Sequence, residues 1–441
     1  MRQLEQLWNL PQPEFELGSK TPLGVVARRT FQQFGRNPEA INAVTKPFAS
    51  ERIRDIAREL EESPEDPFME PAQALLQRNL IYFPNQVFLR ASPFHCDNWL
   101  RDSFIGTLFL EKPTFESHVL SGFLENRLPS GQLPTNRLFP GNRRWMFDDE
   151  STMLGLIWRA KLQGEGASLN PSERQEWQQS WEWIESHVAD GLYISPPGTE
   201  RSWFDTYKLE DNDTLTYNQG VYATATLAAG KLRLILPDKA LRTAADAYQN
   251  LRLETQDRLP FSWVEDSKDV SALFGEYLAL TLFGESFLQD TTVRGSLEAL
   301  KRTDTGIPVV VNPDDSYLSP NQFNRPYRPG DYQNGGDWPA FNAMAFAVGE
   351  MHGMPHSSQS WHDLLTNLKK TQHAEYRYTG SLAQEATHNK TREHNLWNTV
   401  VYDAAKRVMD ENEQKAVLNR TTKTDDSAIY AEAAELPGST L

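Results

Sequence analysis

The run Trp203-Phe204-Asp205, in a long loop that follows Gly191-Leu192-Tyr193, is the clearest place in this chain for acid chemistry. An Asp flanked by two large aromatic side chains is expected to be partly desolvated, which favours its neutral form and keeps a proton on the carboxyl near neutral pH. A general acid requires just that. The competing reading of Asp205 is a helix cap or an acceptor of turn hydrogen bonds. Arg101-Asp102 has the makings of a sugar clamp, because a carboxylate accepts from adjacent hydroxyls while an arginine fork donates. Otherwise it is a buried structural ion pair. The segment Tyr332-Gln333-Asn334-Gly335-Gly336-Asp337-Trp338-Pro339 combines glycines that permit close backbone approach, a stacking face on Trp338 and a proline suited to a first helical turn. Asp148-Asp149-Glu150 reads first as an acidic helix start favoured by the macrodipole. One carboxylic acid to protonate a leaving oxygen and a second to activate water are the equipment for cleaving a glycosidic bond.

Those residues need a frame. From about residue 99 to 408, apolar residues recur three and four apart, the mark of helices with a buried face. Phe115, Val119 and Phe123 form one stripe, Trp177, Trp181, Ile184 and Val188 another, and Ala340, Met344, Ala347 and Met351 a third. All such stripes, with 149–162 and 292–301, predict about eleven helices and no convincing strand alternation. Short links such as Glu111-Lys112-Pro113 would join antiparallel neighbours, whereas 128–148, 190–217 and 308–338 are long loops of the kind that carries function. This alternation predicts an all-α toroid of helical hairpins, its long loops gathered at one end around a pocket. Residues 1–85, with helical stretches at 53–60 and 71–80, read as a helical extension packed on the barrel, 86–419 as the barrel and 420–441 as a polar tail.

Of 441 residues, 11% are aromatic, including 12 Trp, a surplus that fits a wet cleft stacking sugar rings, although any one Trp can equally fill a helix interface. The net charge of −16 repels phosphate backbones and anionic lipid. Nucleic acid and membrane are therefore not expected partners, while a neutral small-molecule carbohydrate is compatible with that field. Residues 1–11 include Arg2 and Glu5 and no apolar core of signal-peptide length, and no run approaches the ~20 apolar residues of a membrane span. A soluble, cytoplasmic protein is expected. The single cysteine, Cys96, precludes an internal disulfide and a Cys-based zinc site. No metal or cofactor is expected: Asp211-Asn212-Asp213 lacks the Gly and spacing of an EF-hand loop, and phosphate-binding and dinucleotide motifs are missing. Nothing in these residues speaks to the oligomeric state.

Trp203-Phe204-Asp205 followed by Tyr217-Asn218-Gln219-Gly220-Val221-Tyr222 resembles the six-hairpin, or (α/α)6-barrel, glycosidases. These include the glucosidase domain of glycogen debranching enzymes, the mannosylglycerate hydrolases and the alkaline/neutral invertases. Three further segments fall in the same order: Trp99-Leu100-Arg101-Asp102-Ser103-Phe104-Ile105, then Leu133-Pro134-Thr135-Asn136 with Asp148-Asp149-Glu150, then 332–339, which is similar to the Tyr-X-Asn-Gly-Gly-X-Trp-Pro segment of these barrels. The resemblance implies an (α/α)6 toroid and an inverting glycoside hydrolase with Asp205 as general acid. It places the sugar against Trp99, Arg101, Asp102, Asp149, Trp203, Phe204, Tyr217, Asn218, Gln219, Gln333, Asn334, Gly335, Asp337 and Trp338. In these families the base lies in a Glu-Tyr or Pro-Glu-Tyr loop ahead of the last inner helix. His373-Ala374-Glu375-Tyr376-Arg377-Tyr378-Thr379-Gly380, followed by Asn395-Leu396-Trp397, has that shape and makes Glu375 the base. Ala374 stands where some relatives have Pro, and Asp337 is the alternative; the other reading of Glu375 is a solvated surface carboxylate. The implied substrate is an α-linked glucoside, with sucrose, mannosylglycerate or another small glycoside as alternatives.

Toroids of this kind also host disaccharide phosphorylases, sugar epimerases and polysaccharide lyases, and a barrel that lost turnover would bind carbohydrate without cutting it. A phosphorylase wants a basic site for phosphate. An epimerase would be expected to use histidines as proton shuttles, and the nine present, His95, His373, His388 and His394 among them, show no paired spacing. Both candidate carboxylates being present favours hydrolysis over binding alone.

Overall fold

A computed structural model describes residues 38–422, except 84, 93–96, 138–145, 197–201, 209–212, 254–255, 263–264, 305, 355, 371–374 and 386–394. Cys96, His95, His373, His388, His394, Asp211, Asn212 and the tail beyond 422 lie outside the described residues.

The chain begins with α1 (Pro38–Thr45), α2 (Glu51–Glu61) and α3 (Glu70–Arg78). Then α4 (Leu100–Thr107), α5 (Pro113–Leu124), α6 (Ser151–Gly164), α7 (Pro171–Glu185), α8 (Thr216–Lys231) and α9 (Ala240–Asn250) alternate between an inner and an outer position. The alternation continues through α10 (Phe274–Phe283), α11 (Asp290–Ala299), α12 (Pro339–Met351) and α13 (Ser358–Lys370). After the short α14 (Gly380–Glu385) come α15 (Thr399–Val408) and α16 (Glu411–Thr422). Helices α4, α6, α8, α10, α12 and α15 each pack on the next, and α15 returns to α4, so the inner ring closes. The outer helices α5, α7, α9, α11 and α13 pack on this ring from outside. Helix α3, within the stretch read as an N-terminal extension, takes the outer place on α15.

Local chemistry explains the boundaries. Helix α7 starts at Asn170, whose side chain accepts from Glu173 N while Glu173 reaches back, with Pro171 in the first turn. Helix α10 stops at Gly284, which supplies the left-handed backbone that ends a helix cheaply. The inner helices are buried almost all round, as Thr216 through Ala229 of α8 show. Between α8 and α10 the backbones touch: a Cβ on Gly275 would lie 2.2 Å from the Gly220 carbonyl carbon, so only glycine fits.

Among the described residues, four two-stranded antiparallel ribbons occur although no strand alternation shows in the sequence. They are β1 (Leu80–Tyr82) with β2 (Val87–Leu89), β3 (Asn98–Trp99) with β4 (Asn136–Arg137), β5 (Val188–Ala189) with β6 (Leu192–Tyr193), and β7 (Lys268–Asp269) with β8 (Val310–Val311). Pieces of two or three residues are too short for alternation to register in a sequence. They lie in the loops and stitch them together.

The C-terminal ends of α4, α6, α8, α10 and α15 meet at one mouth of the ring, around a cavity of about 710 Å³ lined by Phe109, Glu165, Lys231, Phe283 and Arg407. The inner helices therefore run parallel, and their N-termini, with the long loops, meet at the other mouth. Cations at the first mouth complement converging helix C-termini. Two are also neutralised locally, Lys161 by Glu116 at 2.7 Å and Arg407 by Asp403 at 2.6 Å. That cavity therefore shows architecture rather than chemistry. No helix among the described residues is long and apolar enough to cross a membrane.

One fastening between outer and inner helices is sensitive to pH. His352, at the end of α12, sits between Glu276 (Nε2 to Oε1, 3.0 Å) and Asp290 (Nδ1 to Oδ1, 2.7 Å). The hydrogen bond to Glu276 holds its pKa above the ordinary histidine value, against burial, with Asp290 adding to it. A raised folded-state pKa stabilises fully below the unfolded value of about 6.5, and that stabilisation is lost as pH rises through the folded value. Thermal unfolding of His352→Gln should therefore trail the parent by a few degrees at pH 5.5 to 6.5 and converge on it at alkaline pH. A gap that widens with pH would contradict this assignment.

Candidate active site

At the mouth where the long loops gather, α4 opens with the clamp residues. Trp99 precedes the helix and is held by pairing with Asn136. Arg101 Nη1 forms an ion pair with Glu150 at the start of α6, and Asp102 Oδ1 accepts from Trp397 Nε1 at 2.6 Å. The Arg101 guanidinium also lies 5.4 Å from the Trp397 ring centre. Burial opposes the charge on Arg101, but Glu150 and Asp102 outweigh it and push its pKa up. Burial likewise pushes Glu150 up, with Arg101 opposing. The Arg101 side chain remains 13% exposed.

The three acids before α6 divide their work. Asp148 Oδ1 accepts from Ser151 N at 2.7 Å and Glu150 N at 3.2 Å, the expected role at a helix start. Asp149 is wholly buried: Oδ2 accepts from Ser195 Oγ at 2.5 Å and Asn218 Nδ2 at 2.8 Å, and Oδ1 accepts from Ser202 N at 2.8 Å. Burial pushes its pKa up to about 6, against the Ser195 hydrogen bond. Asp149 and Asn218, expected at the sugar, thus anchor the loop that carries Asp205. Gln219 also turns away from the cleft, its Oε1 accepting from Tyr193 N at 2.9 Å and its Nε2 donating to Gly191 O at 3.1 Å. Tyr217 is buried, stacked 5.0 Å from Phe274.

Trp203 and Phe204 do not desolvate Asp205. Both rings are buried, Trp203 with its Nε1 donating to Ser271 Oγ at 3.2 Å, and Phe204 4.9 Å from Phe261, while Asp205 itself is exposed. The two aromatic rings go to the core, and the residue after them is left at the surface. Asp205 is thus more exposed than the partly desolvated acid that its aromatic neighbours led one to expect.

The 332–339 segment joins the remaining parts. Gln333 is fully buried and bonds the loop at 203–206, with Nε2 donating to Asp205 Oδ1 at 3.1 Å. Asn334 Nδ2 donates to Leu318 O at 3.1 Å and Tyr327 O at 3.0 Å, and Gly335 takes a φ of 79° against Tyr317; both are architectural. Asp337 is buried with Oδ1 accepting from Asn342 Nδ2 and Oδ2 paired with Arg377, an arrangement that holds strands of loop together and leaves it poorly placed to activate water. Burial pushes its pKa up, with Arg377 opposing. Trp338 is also largely buried, stacked on Tyr376 with ring centres 5.8 Å apart. Glu375, 6% exposed, directly precedes Tyr376, whose ring lies 5.1 Å from that of Tyr332.

Of this segment, Gln333 bonds the Asp205 carboxylate, and Tyr332 packs on Tyr376, the chain neighbour of Glu375. Trp397, 5.6 Å from Trp338, links them to Arg101 and Asp102. Tyr327, half-buried with its ring 5.2 Å from that of Tyr332, is an aromatic neighbour that motif reading passed over. Tyr332 and Tyr376 were visible as aromatic members of the loop motifs; Glu150 looked like one more helix-start acid.

A closed ring of helical hairpins with its long loops at one mouth is an (α/α)6-type toroid. Among solved structures, a glycosidase in complex with glucose is similar at a TM-score of 0.52 and 16% identity, over 80% of this chain and 98% of that one. The GH63 mannosylglycerate hydrolase from Thermus thermophilus, in complex with Tris and D-glycerate, is similar at 0.51 and 11% identity, over 76% of this chain and 99% of that one. At these identities the likeness is one of fold. No protein-family model and no curated protein sequence matches the chain.

Proposed function

We propose that this protein is an inverting glycoside hydrolase that cuts an α-linkage in a small glucoside, with Asp205 as the acid and Glu375 as the base. The observation that carries this reading is Asp205 itself, an exposed carboxylate that follows three buried residues on a loop fastened at Ser202, Trp203 and Thr206. A surface acid without a task needs no such fastening. Arg101, Asp102 and the tyrosines of the long loops also support the reading, since they are groups suited to hydroxyls and sugar faces.

In the reaction, Asp205 gives its proton to the glycosidic oxygen as the bond to the anomeric carbon breaks. Glu375 removes a proton from the water that attacks the opposite face. One water is consumed, the configuration inverts, and proton exchange with solvent resets both carboxyls. A bound sugar excludes water from around the exposed Asp205 carboxyl. The net charge of −16 is no obstacle to a neutral sugar.

Purified protein screened against α-linked disaccharides, glucosylglycerate-type solutes and branched glucans, with the first-formed anomer followed by NMR, tests this. The expected result is release of the β-anomer without added phosphate. Turnover only with phosphate would indicate a phosphorylase, first release of the α-anomer a retaining enzyme, and no turnover on any of them would sink the proposal.

A further inference from the structure

Asp149 grips the acid loop by its backbone. Its Oδ1 accepts from Ser202 N at 2.8 Å, and its Oδ2 accepts from Ser195 Oγ at 2.5 Å and from Asn218 Nδ2 at 2.8 Å. One carboxylate at 0% exposure thus joins the approach to α6, the first turn of α8 and two points of the loop that leads to Asp205. Ser202 takes a φ of 37°, in the left-handed region that a serine keeps only where its surroundings hold it there. The hold passes along the chain. Ser202 Oγ accepts from Phe204 N at 3.4 Å, and Phe204 O accepts from Tyr207 N at 3.2 Å. Asp205 lies inside that last turn, so Asp149 governs its backbone from upstream, whatever groups meet its carboxyl.

We propose that Asp149 is a positioning residue for the general acid: by fixing Ser202 it sets where the Asp205 backbone sits, and with it the reach of the acid to the glycosidic oxygen. Proton transfer in the transition state needs donor and acceptor within about 2.6–3.2 Å, and a displacement of ~1 Å can cost a factor on the order of a hundred. A buried carboxylate suits this task, because it offers only acceptors and the three groups that meet it all donate. This inference rests on the reading of Asp205 as the acid.

The test compares Asp149→Ala, Asp205→Asn and the double variant on two substrates. One is α-glucosyl fluoride, whose leaving group needs little protonation, and the other is the α-linked disaccharide turned over fastest in the screen above. For Asp149→Ala, kcat/KM on the disaccharide should fall about ten- to hundredfold, the range for a misplaced reacting group, while the fluoride stays within about threefold of the parent. In the Asp205→Asn background the same change should cost less than about threefold on the disaccharide, because the proton it helps to deliver is already missing. Equal losses on both substrates, or losses that multiply in the double variant, would make Asp149 a merely structural residue and overturn the proposal. If Asp149→Ala does not fold, Ser195→Ala, which removes one hydrogen bond to Oδ2, should give a smaller loss confined to the disaccharide; a loss shared by the fluoride, or no loss, is equally fatal. Should Asp205→Asn show no difference between the two substrates, the acid assignment itself falls. A normal leaving-group difference in Asp205→Asn beside a parent-like Asp149→Ala removes the positioning role alone.

Discussion

Asp205→Asn should slow hydrolysis about a hundred- to ten-thousandfold, the usual contribution of a positioned general acid, while sugar affinity measured by calorimetry stays close to the parent value. The amide oxygen of Asn can still accept from Gln333, so the loop keeps its geometry, but the amide has no acidic proton to deliver. Because Asp205 is exposed, the exchange should leave the unfolding temperature nearly unchanged. Activity and stability thus separate, as they would not for an acid whose role is to hold the fold. Turnover equal to the parent would remove Asp205 from the chemistry.

Glu375→Gln should have an effect of similar size for a different reason. The attacking water loses its proton acceptor, although the leaving oxygen is still protonated by Asp205. Azide is a nucleophile that needs no deprotonation, so added azide should restore bond cleavage and give the glycosyl azide of inverted configuration, identified by its anomeric proton in NMR. A glycosyl azide of retained configuration would show two successive displacements, with another residue as the nucleophile and Glu375 as the acid/base of a retaining enzyme. Full hydrolytic activity in Glu375→Gln would exclude Glu375 as the base. Asp337 is a poor substitute on structural grounds, since Asn342 and Arg377 already engage its two oxygens. A structure with bound sugar offers a geometric check, because an inverting pair lies ~6.5–9.5 Å apart with water between.

The sequence by itself determined the helices, because a helix buried on one side must repeat its apolar residues every three to four positions, as Trp177, Trp181 and Ile184 do in α7. It also marked the long loops and the residue types that could do acid chemistry within them. Which of those residues face the cleft was decided only by the tertiary structure. Asp149, Asp205 and Asp337 look alike as loop carboxylates beside aromatic or polar neighbours, yet one anchors a loop, one emerges to solvent and one pairs with Arg377. Their fates depend on partners far away in the chain: Gln333 meets Trp203 across 130 positions, and Trp397 meets Asp102 across 295. A local pattern carries no record of such contacts. Closing the ring brings those partners within hydrogen-bond reach, and satisfying buried polar groups there dictates which side chains turn inward and which remain for a substrate.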